Sequence, residues 1–467
     1  MFQLFASIAH TEDAPSSSSW PQFRGANAAG VDAKAKPPIE IGPEKAVLWK
    51  IEVPWSPSSP IIWGERIILT TFHEGELQTR CYHRKDGNLL WKRGVKPEGI
   101  EEFHRKDGSP AASTPATNGK RIVSYFGSMG VICHDMDGKE LWRHLMPVAL
   151  SGGRYGSGTS PIIIGERVIL NRDQHQFSAL IALDLKTGKP LWETPRPETA
   201  GSFGTPVYWR NDGIDEIVIA ASGRLKGYDL KTGVERWLVS GITGYVCTTP
   251  VIGDGLLHFA AYSNAHPHSP LPKWEDFLKN FDKNSDGHIA FEEIDLEQRD
   301  YYRGLDKDRD GKYTEHDWKA RNKAVAHMEN LMVAVKPGGI GDISASHVVW
   351  EHRKGLPYVS SPLFYDGRVY LVKDGGIITS LDAKSGEPFY RRKRIGAGGS
   401  YYASPVAADG RIYVASLGGT VSVLKAGGDS LKILHQVDFE SRILATPALA
   451  DDKIYLRTAT HLFAFGK

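Results

Sequence analysis

A hydroxyl residue followed by proline recurs along the whole chain: Ser59-Pro60, Thr114-Pro115, Ser160-Pro161, Thr205-Pro206, Thr249-Pro250, Ser361-Pro362, Ser404-Pro405 and Thr446-Pro447. Successive prolines lie 55, 46, 45, 44, 112, 43 and 42 residues apart. A period near 44 is the size of a four-stranded propeller blade, and the long interval places about 68 extra residues inside the fifth unit. The third unit shows the internal pattern best. Pro161-Ile-Ile-Ile, the turn at Gly165-Glu166, Arg167-Val-Ile-Leu, Leu180-Ile-Ala-Leu-Asp184, the turn Lys186-Thr187-Gly188 and Leu191-Trp192 read as four short strands joined by tight hairpins. The turn glycine supplies the positive φ that such a hairpin needs, and Gly87, Gly138, Gly233 and Gly386 repeat it. The fourth strand carries a ring at a fixed offset, Trp91, Trp142, Trp192, Trp237, Trp350 and Tyr390, placed to pack between neighbouring blades.

The eighth unit stops at Lys467 without a fourth strand, whereas Val47-Leu48-Trp49-Lys50 is a fourth strand without a unit. Pairing the two closes the ring and removes exposed sheet edges. The expectation is an all-β, eight-bladed propeller with a small α-helical insertion. Its domains read as residues 1–19, a possible residual export signal and tether; 20–263, the closing strand and blades 1 to 5; 264–328, the insert; and 329–467, the rest of the ring.

Composition limits function. Hydrophobic residues make up 41% and charged residues 24%, with no apolar run long enough to span a membrane. The 57 basic and 55 acidic residues leave +2, which argues against a nucleic-acid binder. Cys81, Cys133 and Cys247 are far apart and read as small buried hydrophobes. No GxSxG elbow, P-loop or HExxH is present.

The insert differs sharply from the rest. Residues 282–317 hold twelve acids and six bases, which leaves +8 for the remainder. Asp282, Asn284 and Asp286 at loop positions 1, 3 and 5, Gly287 at 6, the His288 carbonyl at 7 and Glu293 at 12 match an EF-hand calcium loop. Asp306, Asp308, Asp310, Gly311, the Lys312 carbonyl and Asp317 form a second loop. Its closing residue is Asp rather than Glu, so it should bind calcium more weakly. Trp274, Phe277, Leu278 and Phe281 lie at helical spacing before the first loop. The loop starts are only 24 residues apart, so pairing of the loops is left open.

The unit Ala-Leu-Asp-x-x-Thr-Gly-x-x-x-Trp and the leader Trp20-Pro-Gln-Phe-Arg-Gly25 closely resemble bacterial pyrroloquinoline-quinone-like (PQQ-like) repeat proteins. That family includes quinoprotein alcohol dehydrogenases and the BamB lipoprotein of outer-membrane assembly, so the resemblance implies the fold more strongly than an activity. The dehydrogenases carry a vicinal disulfide beside the quinone, and no Cys-Cys pair exists here, so PQQ is not the expected cofactor. The chain is more similar to BamB-type scaffolds, which implies a periplasmic or otherwise extracytoplasmic location, although Met1–Ala9 lacks the basic start of a signal peptide. A protein or peptide partner is expected on the face of the inter-blade loops. These carry Trp55, His104, Arg154, Tyr155, Phe203, Tyr245, Tyr358, Tyr401, Tyr402 and Arg442, residue types that anchor interfaces or, equally, plug the channel. A PQQ-dependent dehydrogenase and a polysaccharide binder are the alternatives.

Overall fold

The computed structural model describes residues 19–149, 155–174, 178–197, 199, 201–244, 246–263, 273–295, 306, 310–325 and 327–467. Eight antiparallel sheets follow one another around the ring. Blade 1 runs Ile61–Trp63, Arg66–His73, Glu76–His83, Leu89–Val95, and each later blade repeats this inner-to-outer order. The last blade takes Ala448–Ala450, Lys453–Arg457 and His461–Phe465 from the C-terminus and Val47–Glu52 as its outer strand. Arg457 staples this closure: its guanidinium donates to the Ser58 carbonyl at 2.8 Å and to the Pro54 carbonyl at 2.7 Å.

The hydroxyl of the repeated Ser/Thr-Pro pair bonds between blades. Ser59 N–H donates to Thr114 Oγ1, Thr114 N–H to Ser160 Oγ, Thr205 N–H to Thr249 Oγ1, and Thr249 N–H to Ser361 Oγ, each at 3.0 Å. Ser361 to Ser404 and Ser404 to Thr446 continue at 3.0 Å, and Thr446 N–H returns to Ser59 Oγ at 2.9 Å. The motif thereby builds a belt around the channel. All of these hydroxyl residues are buried, so each bond satisfies groups that would otherwise be orphaned.

The outer-strand tryptophans reach across to the next blade. Trp49, Trp91, Trp142 and Trp350 each donate at 3.0 Å, to the carbonyls of Arg84, Met136, Leu185 and Ala383, and Trp192 donates at 3.1 Å to that of Leu230. Each ring lies flat against that blade's turn glycine. A Cβ on Gly188 would sit 2.4 Å from the Trp142 ring, and Gly188 has φ +70. This glycine therefore serves both the hairpin and the neighbour's indole. Trp237 departs from the pattern and donates to Glu216 within its own blade. Its outer edge is instead covered by Gly341–Asp342, which pairs in parallel with Trp237–Leu238.

Residues 19–41 have no counterpart in the repeat. Ser19–Trp20 adds inside blade 1 against Ile62–Trp63. The leader then bonds blade 2 through Pro21 and Thr117, blade 4 through Asn27 and Tyr208, blade 6 through Arg24 and the Pro362 carbonyl, and blade 7 through Val31 and Ala407. It ends against Asp452 of blade 8 and His435 of blade 7. These partners sit toward the first hairpin turn of each blade, so the leader crosses that end of the channel. Arg24 is fully buried there, and burial pushes its guanidinium down to about 9.

The insert leaves blade 5 after Leu256–Ala261 and returns at Leu331–Val335. It has its own apolar cluster of Trp274, Phe277, Ile289, Phe291, Ile294 and Tyr313, with no propeller residue in it. Among the described residues no helix is long and apolar enough to cross a membrane.

Candidate functional site

The inter-blade loops emerge at the end of the channel opposite the leader. Several of the expected face residues meet there. Arg442, between blades 7 and 8, lies 6.0 Å from the Trp55 ring centroid, donates to the Lys106 carbonyl at 2.6 Å and pairs with Asp107. His104 Nδ1 stands 3.7 Å from Asp107, and its ring is 6.3 Å from that of Tyr155. Tyr155, 52% exposed, meets Phe203 edge-on at 6.3 Å. One contact chain therefore joins the loops around blades 8, 1, 2, 3 and 4. Tyr402 is half-buried within reach of Asp107, Asp374 and Tyr155, and its hydroxyl is held above its ordinary range by burial and then by those acids. Tyr358 meets Tyr262 edge-on at 6.4 Å, on the other side of the mouth.

Tyr401 is a correction. It is 1% exposed in the core between blades 6 and 7, and its hydroxyl donates to the Ala397 carbonyl at 2.8 Å. Adjacent residues of an extended segment point to opposite sides, so only one of the pair Tyr401-Tyr402 can face the mouth. Arg154 and Tyr245 lie outside the described residues. Sequence reasoning missed Asp107, Asp374, Tyr262 and Lys373, whose ammonium stands 5.1 Å over the Tyr262 ring. It also missed Glu101. The one available signal was the 55-residue first interval, which marks the loop carrying both Glu101 and Asp107 as overlong.

Glu101 is 2% exposed, with Ser157 Oγ donating to Oε2 at 2.6 Å. Oε1 has no partner among the described residues. Burial pushes the carboxyl up to about 7, against the opposing pull of Ser157 and of Arg172. Gly127 leaves the room: a Cβ there would come within 2.1 Å of the carboxylate.

In the insert, helix Trp274–Phe281 leads into the first loop and helix Glu315–Val325 follows the second. Between them Ile289 pairs with Tyr313 and Ala290 with Lys312, antiparallel. Ile289 and Tyr313 are each the eighth residue of their loop, so the open question of pairing is answered: the loops stand side by side. They also share internal bonds. Asp282 Oδ2 accepts the Gly287 N–H and Asp306 Oδ2 the Gly311 N–H, both at 3.0 Å, and both glycines have φ +87. Asp286 accepts the His288 N–H at 3.1 Å, and Asp310 that of Lys312 at 2.9 Å. The closing carboxylates are buried: Glu293 accepts the Ala290 N–H at 2.8 Å and Asp317 the Thr314 N–H at 3.1 Å. Asn284 donates to Asp286 at 2.9 Å. Among the described residues no three His, Cys, Asp or Glu side chains converge as a metal cluster, and Asp308 lies outside them.

Residues 46–264 match the family model described as Outer membrane protein assembly factor BamB. The match covers the closing strand and the blades up to the insert. BamB from Moraxella catarrhalis is similar over 90% of this chain and 98% of its own, at 13% identity and a TM-score of 0.56. A quinohemoprotein alcohol dehydrogenase from Comamonas testosteroni matches 96% of this chain and 80% of its own, at 10% identity and TM-score 0.57. A europium-containing methanol dehydrogenase covers 97% and 98%, at 9% identity and TM-score 0.51. These likenesses, BamB and dehydrogenases alike, show the fold. No curated protein matches the chain.

Proposed function

We propose that the chain is an extracytoplasmic, non-catalytic scaffold that binds a protein or peptide partner on its inter-blade loop face, beside a calcium-binding EF-hand pair. The observation that carries the reading is the asymmetry of the channel. Its first-turn end is crossed by the leader, while the other end offers Trp55, His104, Tyr155, Phe203, Tyr402 and Arg442, linked across several loops. Half-buried rings and an arginine pre-held by Asp107 are the side chains that interfaces favour, because they are ordered before binding. The match to the BamB family model supports both the partner class and the location.

Calcium fits the donor chemistry of the insert. Asp282, Asn284, Asp286, the His288 carbonyl and Glu293 would hold one ion; Asp306, Asp308, Asp310, the Lys312 carbonyl and Asp317 would hold a second. Bound calcium supplies a hard cation that offsets the negative charge of the loops. The bond from Gly287 to Asp282 already shapes the first loop, so binding there would order side chains rather than refold the backbone. Because the insert enters on the inter-blade side of blade 5, its order bears on the same face.

A photo-crosslinking residue at Tyr155 or Tyr402, in cells that make the protein, should yield a discrete protein adduct, with none from the same residue at Lys384. Absence of an adduct at both face positions counts against the scaffold reading. Turnover in a dye-linked alcohol oxidation assay with added PQQ would replace it with the dehydrogenase reading. Calorimetric titration should find calcium binding that Glu293→Gln weakens more than Asp317→Ala; no calcium heat in the wild type would refute the EF-hand assignment.

A further inference from the structure

The outer strand of blade 6, Pro388–Arg394, reads Pro-Phe-Tyr-Arg-Arg-Lys-Arg, and no acid occurs between Pro388 and Ala408. Arg391, Arg392, Lys393 and Arg394 are all exposed. None of the four has a carboxylate partner among the described residues. Two arginines on other outer strands are held by carboxylates: Arg143 of blade 2 by Glu140 at 2.6 Å, and Arg236 of blade 4 by Glu216 at 2.9 Å. Like charges in a row repel, so an uncovered run of four costs stability unless an anion meets it.

The backbone of this strand is open and irregular. Like most outer strands of the ring it is the edge of its sheet, so among the described residues its outward N–H and C=O groups pair with no strand. Its register breaks around Thr379, Arg392 takes φ +49, and the Arg392 N–H goes to Thr379 Oγ1 at 3.2 Å. A bulge of this kind interrupts the two-residue alternation and re-aims side chains at an edge. A charged edge also guards against aggregation, a role for which lysine is the usual residue, whereas three of these four are arginines. Three arginines beside a lysine offer forked donors suited to carboxylates.

The molecule already shows how an outer strand accepts a guest. On blade 4, Gly341–Asp342 lies parallel along Trp237–Leu238, with the Ile343 N–H bonded to the Leu238 carbonyl at 2.9 Å. An extended, acid-bearing segment thus occupies the outer edge of blade 4, where its Asp342 accepts from the Ser344 N–H at 3.0 Å, with Arg224 only a lesser electrostatic contribution.

We propose that the outer strand of blade 6 is a second binding surface, which takes an extended acidic peptide segment as a fifth strand. The guest backbone pairs with the open ladder and its carboxylates meet Arg391, Arg392, Lys393 and Arg394. An extended peptide engages both the ladder and the cations, whereas a phosphate-bearing surface engages only the cations. The surface lies on the outer rim and does not depend on the inter-blade loop reading.

The test uses the full chain at fixed calcium and a fluorescent, capped octapeptide of alternating Glu and Thr, read by anisotropy. Binding is expected, weakened about tenfold or more in the double variant Arg391→Gln, Arg394→Gln and unchanged in Lys384→Gln. A peptide N-methylated at alternate residues keeps its charge but loses the ladder, and should also bind about tenfold more weakly. Equal binding of parent and N-methylated peptides would overturn strand addition. So would no binding, an unaffected double variant, or binding of phosphatidylglycerol vesicles or duplex DNA in place of the peptide.

Discussion

Replacing Glu101 with Gln should remove a loss of stability that develops as the pH rises from 4.5 to about 7. The carboxyl is raised from its ordinary 4.5 to about 7 by burial against Ser157 and Gly127. Between these values the native state holds a proton that the unfolded chain releases, so stability falls as pH rises through that window. Above pH 7 the deficit is constant. A shift of this size corresponds to about 3 kcal/mol at roughly 1.4 kcal/mol per unit. Gln is close to isosteric, and its carbonyl can still accept the Ser157 hydroxyl that bonds Oε2 at 2.6 Å. Glu101→Gln should therefore match the wild type near pH 4.5 and exceed it by up to about 3 kcal/mol at pH 8. Urea unfolding followed by tryptophan fluorescence at both pH values, with calcium fixed, measures the difference. Histidines that titrate in the same window are common to both proteins and cancel. A pH-independent difference would refute the reasoning. A variant less stable than the wild type at pH 8 would show instead that Arg172 and Ser157 hold the ionised carboxylate favourably.

Gly188→Ala should cost roughly 2 kcal/mol or more, since it combines φ +70 with a Cβ 2.4 Å from the Trp142 ring. Gly213→Ala, with φ +79 and nothing within 4 Å, should cost only about 1 kcal/mol; equal urea midpoints would show that the indole contact is unimportant. Deleting residues 1–52 removes the leader and the strand that pairs with His461–Phe465, and should abolish cooperative melting. Melting like the full chain would disprove the closure. Replacing residues 264–326 with a short Gly/Ser turn should leave a folded propeller with β-type circular dichroism, because the insert has its own core and loop closure grows slowly with length. Loss of soluble protein would place the insert in the ring's core.

Repetition made the ring readable from residues alone. Eight Ser/Thr-Pro pairs, the Thr-Gly turns and the recurrent tryptophans each mark a local need of a blade, and an orphan strand at Val47–Lys50 could only belong to the blade lacking one. The place of the insert was legible for the same reason: one proline interval is 112 residues long, and the chain does leave blade 5 after Leu256–Ala261 and return at Leu331–Val335. What local pattern cannot carry is the identity of a partner across the ring. The Ser59 hydroxyl meets Thr446 at a separation of 387 residues, and Gly188 is needed by a tryptophan from the preceding blade. The leader has no period, so its path across blades 1, 2, 4, 6, 7 and 8 exists only once the ring is closed. The mouth behaves likewise. Arg442 and Asp107 are 335 residues apart, and Tyr401 and Tyr402 look alike in sequence although one is core and the other faces the channel. The charge of Glu101 is the extreme case, because a carboxyl's proton affinity depends on how much water the surrounding loops exclude, and only tertiary packing decides that.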